Sequence, residues 1–199
     1  MFKWGQSLGI CKNWDLMLVG LRCGDNGQIP KAADKEKRYK EPWYAGDTVT
    51  MSIGQGLVLV TPLEEAVMVS AIANGGYRVK PHLLSSMTGT PETQRVKIGI
   101  KPSTIQVIKE GLIAVVAEVT GQGLNDGSIP MTAGKTGTSE VIGKEDHSLY
   151  VAFGPADKPE IAIAVIVENA GFGAVAAAPI ANDVFQAYFG QPKTPPTHQ

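Results

Sequence analysis

From Met131 onward the helical period of the chain gives way to three short strand-like runs. Met131–Ser139, Ser148–Phe153 and Glu160–Glu168 each read as a strand, the last (EIAIAVIVE) dense in β-branched residues. The link G-P-A-D-K-P between the last two is short enough for an antiparallel hairpin. Ala174–Phe189 then predicts a closing helix, with Val175 and Pro179 in its first turns and Ile180, Val184 and Tyr188 on one face. Two helices precede the meander. T-P-L-E places Thr61 at N-cap, Pro62 at N1 and Glu64 at N3, a capping box that satisfies free N–H groups. Leu63, Ala66, Val67, Ser70, Ala71 and Asn74 follow at helical spacing, and Gly75-Gly76 stops the helix. A second helix is predicted over Pro102–Val119, with Ile105, Ile108, Leu112, Val115 and Val119 as its apolar stripe, before a Gly-rich loop at Gly121–Ser128. Helices first, then an antiparallel sheet with a helix packed back on it, is an α+β pattern.

The 199 residues suit one domain or a large part of one. With 43% apolar and 19% charged residues the chain is too hydrophobic for disorder. Its net charge of −1 offers no basic surplus for a nucleic-acid footprint. The longest apolar run, Ile161–Val167, is far short of the roughly 20 residues of a membrane helix, so no span is expected. The start, MFKWGQSLGICKNW, lacks the apolar core of a secretory signal. Cys11 and Cys23 match no zinc spacing and read as free thiols or one optional disulfide. No His/Cys/Asp cluster points to a metal, and no cofactor is expected. The first forty residues show no clean period, Lys31–Lys40 reads as a solvated loop or helix surface, and residues 191–199 read as a disordered tail.

Chemistry concentrates in A-G-K-T-G-T-S-E, Ala133–Glu140. A phosphate-binding loop ending in Gly134-Lys135-Thr136 would need glycine at position 129, which is Ile129, and a helix rather than a strand to follow. That reading is rejected. The other user of the pattern is the K-T-G strand of penicillin-interacting serine enzymes. There Lys135 supplies a fixed positive charge for a ligand carboxylate, and the Thr136 and Thr138 hydroxyls add hydrogen bonds to it. Gly137 lets an extended peptide lie against the backbone as an extra strand. The Thr138 N–H would serve as an oxyanion donor. By itself K-T-G-T is also simply a turn-prone strand end.

Four further blocks surround it: EPWYAGDTVTMSIGQGLVLVTPLE (Glu41–Glu64), AIANGG with KPH (Ala71–His82), DHSLYVAFGPA (Asp146–Ala156) and VENAGFGAVAAAPIA (Val167–Ala181). Together and in this order they resemble the transpeptidase domain of class B penicillin-binding proteins of the elongation branch, over about Asn26 to Gly190. The resemblance implies a β-lactamase/transpeptidase-like fold, an antiparallel sheet flanked by helices. It implies a D,D-transpeptidase that cross-links peptidoglycan stem peptides and is acylated by β-lactams. Cell-wall elongation machinery would be its partner, and an inner-membrane anchor would hold the domain outside the cytoplasm.

The departures carry equal weight. The family's nucleophile lies in S-x-x-K, followed by S-x-N or S-x-D. None of Ser7, Ser52, Ser70, Ser85, Ser86, Ser103, Ser128, Ser139 and Ser148 has Lys three residues on, or Asn or Asp two residues on. In the family both motifs lie well over a hundred residues before K-T-G, so here they would fall ahead of the chain. The expectation is therefore residues 1–190 as a C-terminal part of the domain, with 1–25 a divergent start. The fold would be incomplete, and the chain alone would be inactive. A non-catalytic binding or structural module with the same half-fold is the alternative; a β-lactamase would also need S-x-x-K. Three other features read more plainly. His147 is a loop residue or a ligand contact, Gln55 in G-Q-G a turn residue or part of an anion site, and Glu64 and Glu65 are capping-box and helix-surface carboxylates.

Overall fold

The computed structural model describes residues 1–14, 16, 26–118 and 127–190, in two units, Met1–Val107 and Ile108–Gln199. The predicted tail, most of the Gly-rich loop, Val119 and Cys23 lie outside the described residues. In the first unit α1 (Phe2–Leu8), α2 (Ala32–Tyr39) and α3 (Ala45–Ser52) lead to α4 (Pro62–Ala73). The two-residue strands β1 (Tyr77–Arg78) and β2 (Val96–Lys97) then pair antiparallel. Helix α4 starts as its sequence dictates: the Thr61 hydroxyl accepts from Glu64 N at 3.2 Å, and the Glu64 carboxylate accepts from Thr61 N at 2.9 Å.

Glu64 does more than cap. It is 1% exposed, and its carboxylate also accepts from Cys11 N at 2.8 Å and from Gly27 N at 3.0 Å. A Cβ on Gly27 would press into Glu64 Oε2 and lie 2.6 Å from Leu59 O, so glycine is required there for lack of room. One buried carboxylate thus fastens two segments, more than thirty residues away in sequence, to the start of α4. Replacing it by Glu64→Gln puts an NH2 where an N–H must be accepted. Leaving a buried donor unpaired costs about 2 kcal/mol, and urea denaturation of the variant is expected to read a loss of that size.

Three readings are corrected here. Glu65, expected on the helix surface, is 9% exposed, because α4 is buried on more than one side through Val67, Val69, Ala71, Ile72 and Ala73. Asn74, placed in the apolar stripe, is exposed. Lys31–Lys40 is only partly a solvated stretch. Lys35 is buried in α2, donates to Asp47 Oδ2 at 2.7 Å, and lies 4.5 Å from the Tyr44 ring centroid. The hydrogen bond from Lys35 holds the Asp47 carboxyl below the usual carboxylate range.

Helix α5 (Pro102–Glu118) buries Ile105 and Val116, while Ile108, expected in its stripe, is exposed. The second unit then builds the predicted meander: β3 (Ala133–Ser139), β4 (His147–Gly154) and β5 (Ile161–Val167), followed by α6 (Ala177–Phe189). The sheet order is β3-β4-β5, antiparallel throughout, with Ala133 opposite Phe153 and Ser139 opposite His147. Its register puts Ser148, Tyr150 and Ala152 on the face that α6 covers, where Tyr150, Ala152, Ile163, Ala177, Ala178, Ala181 and Phe185 form one core cluster. The helix turns a different side to the sheet from the one its sequence suggests. Ile180, Val184 and Tyr188 are exposed, and three alanines with Phe185 pack inward. Small residues let the helix backbone come close to the strands, and Phe185, 2% exposed, supplies the apolar volume, worth about 2 kcal/mol on burial.

Candidate active site on the first meander strand

Strand β3 carries Lys135, Thr136, Gly137 and Thr138 in sequence, and among the described residues it pairs only with β4. Strand alternation divides the four. Lys135 and Gly137 belong to the face away from α6, and Thr136 and Thr138 to the α6 face, opposite Tyr150 and Ser148 in the register. Lys135 is exposed, and its Nζ donates to Thr136 O at 2.7 Å, so the ammonium lies back along its own strand. Thr136, Gly137 and Thr138 are half-buried.

The polar side chains of the neighbouring strand are His147, Ser148 and Tyr150. Burial pushes the Tyr150 hydroxyl up to about 12, and it has no hydrogen-bond partner among the described residues. His147 begins β4, and its Nδ1 accepts from Asn169 N at 3.0 Å. That bond commits one ring nitrogen to a loop amide and leaves the proton on Nε2. Ser148 is fully buried; its hydroxyl donates to Phe172 O and accepts from Ala177 N, both at 3.0 Å. In the first unit, Cys11 Sγ accepts from Ile29 N at 3.2 Å, and burial pushes its thiol up, away from reactivity.

The family model for the penicillin-binding protein transpeptidase domain matches residues 23–186. The chain belongs to the penicillin-binding protein transpeptidase family. A peptidoglycan D,D-transpeptidase MrdA from Acinetobacter baumannii is 36% identical over all of this chain and 32% of its own length. The crystal structure of Pseudomonas aeruginosa PBP2 in complex with WCK 5153 superposes with a TM-score of 0.78 at 31% identity, over 92% of this chain and 41% of that one. The complex between penicillin-binding protein PBP2 and MreC from Helicobacter pylori gives 0.78 at 25% identity, over 92% and 34%. The chain therefore spans about a third of the length of the curated relatives it matches.

These matches bear out the elongation-type class B resemblance and its fold, an α+β arrangement with an antiparallel sheet flanked by helices. No helix among the described residues is long and apolar enough to cross a membrane. The family's K-T-G pattern could be read directly from the sequence. Its support could not. Gly173, in the loop after β5, lies against the Gly137 and Leu149 backbones, and Ser148 of β4 bonds that loop; only the two glycines of G-F-G are a sequence signal that this loop runs close to another backbone.

Proposed function

We propose that this chain carries the K-T-G wall of a penicillin-binding, peptidoglycan D,D-transpeptidase site, and that residues 1–190 form the C-terminal part of that transpeptidase domain. The reading is carried by an exposed lysine and a glycine on the same face of β3, a strand that among the described residues pairs only with β4. Lys135 swings from Thr136 O to the carboxylate of a stem peptide or β-lactam. Thr136 and Thr138 reach that carboxylate from the other side of the edge. Gly137 leaves the backbone open, so an extended acyl-D-Ala-D-Ala-like ligand adds to β3 as a strand. The Thr138 N–H faces the reacting carbonyl. Serine attack needs an adjacent base, and none of the chain's serines has the S-x-x-K arrangement. The proposal extends to a membrane anchor that holds the domain outside the cytoplasm and to the cell-wall elongation machinery as partner, which the complex of a PBP2 relative with MreC supports.

Titration of the 15N-labelled chain with benzylpenicillin tests the wall. Wild type is expected to show saturable shifts at Lys135–Thr138. A charge-assisted hydrogen bond is worth roughly 1.5–3 kcal/mol, so Lys135→Ala weakens binding about tenfold or more. Affinity unchanged within about twofold in the folded variant would refute the role of Lys135.

A further inference from the structure

The loop after β5 lies directly on the K-T-G strand. A Cβ on Gly173 would press into Gly137 O and Leu149 O and lie 3.0 Å from Gly137 N. Gly173 is not among the positive-φ glycines, so it is space rather than backbone freedom that demands glycine. Its carbonyl accepts from Ala178 N at 2.9 Å, which ties this contact to the first turn of α6. Ser148 closes the arrangement from the strand side. It sits opposite Thr138, donates to the carbonyl of Phe172, the residue before Gly173, and accepts from Ala177 N. At its other end the loop is held by Ala170 N and Gly171 N, which both donate to Asp146 O, at 2.9 and 3.0 Å.

We infer that Gly173 and Ser148 are positioning residues, a clasp that sets the orientation of the Gly137–Thr138 peptide against which the ligand is laid. The inference rests on the reading of Lys135–Thr138 as a ligand-binding wall. Gly173 presses flat on the Gly137 peptide and leaves it no room to rotate toward α6. Ser148 holds Gly173 at that distance by bonding the loop and the helix with a single hydroxyl. A methyl on Gly173 must push the Gly137 peptide outward or lift the loop. Ser148→Ala removes only an oxygen and frees the loop from the strand.

The test uses the full chain as wild type, Gly173→Ala, Ser148→Ala and, as a control in the same loop, Val175→Ala, whose side chain is 72% exposed. Amide shifts and hydrogen exchange are read in the free proteins, then benzylpenicillin is titrated. Both clasp variants are expected to shift the Gly137 and Thr138 amides and speed their exchange, with Ile163 and Val165 in β5 unchanged. Small misplacements of a docking edge are costly, so benzylpenicillin Kd rises about fivefold or more, while Val175→Ala leaves it alone. Gly137 and Thr138 behaving as in wild type would overturn the inference, as would faster exchange across the whole sheet, which marks mere destabilisation. Amides that move with no change in Kd overturn the positioning role and leave the Lys135 reading intact. A wild-type chain that binds no penicillin overturns the wall reading, and the amide shifts then decide the clasp alone. If Gly173→Ala fails to fold, Ser148→Ala carries the same comparisons.

Discussion

Purified 199-residue chain, incubated with a fluorescent penicillin and then denatured, is expected to carry no covalent label. Acylation requires a serine oxygen with its proton removed, and a hydroxyl without an adjacent base is too weak a nucleophile at neutral pH. In serine hydrolases, losing the base costs on the order of a millionfold in rate. Two serines that follow K-T-G do not escape this. Ser139 ends β3 with no lysine three residues on. Ser148 is fully buried, with its hydroxyl engaged by Phe172 O and Ala177 N. On the proposed reading, what the described residues offer is a cationic strand edge and the Thr138 N–H as oxyanion donor, enough for weak reversible carboxylate binding. Mass spectrometry of the denatured protein decides the matter. A stoichiometric adduct on any serine would mean that a nucleophile and base meet in space without being adjacent in sequence.

Glu65→Gln is expected to stabilise the protein strongly at pH 8 and hardly at all near pH 4.5. The Glu65 carboxyl is pushed up from 4.5 to about 7, first by burial and then by the neighbouring Glu64 carboxylate. Its Oε2 has no hydrogen-bond partner among the described residues. The folded state therefore binds this proton more tightly than the unfolded state does. Below about pH 4.5 both states hold it, and ionisation costs the fold nothing. As pH rises toward 7 the unfolded chain ionises first, and stability falls until the folded carboxyl ionises as well. One pKa unit corresponds to 1.36 kcal/mol, so the full cost above pH 7 is about 3 kcal/mol. A glutamine keeps the shape and never ionises. Urea denaturation at pH 4.5 and pH 8 should give variant-minus-wild-type differences close to zero and about 3 kcal/mol respectively. Equal differences at the two pH values would sink the assignment.

Which parts of this molecule could be read from its sequence follows the range of the forces involved. The Thr61–Glu64 cap was legible because both partners lie three residues apart, and any chain writing T-P-L-E closes that box locally. The β3-β4-β5 meander was legible for a similar reason: β-branched runs joined by short links have few other ways to pair. K-T-G-T stood out as a chemical pattern, and four surrounding blocks named its family. Tertiary structure alone decided which side of α6 faces the sheet. Ile180, Val184 and Tyr188 have the spacing of a core stripe, yet Ala177, Ala178 and Ala181 pack inward, because the distance of approach between helix and strands is set by both partners. The same holds for Glu65, a polar residue on a helix that other segments happen to surround. It holds most of all for Gly173, whose need for glycine comes from the backbone of Gly137, 36 residues earlier in the chain. Periodicity and capping report what a residue does to its neighbours in sequence; close packing depends on atoms that sequence distance does not reveal.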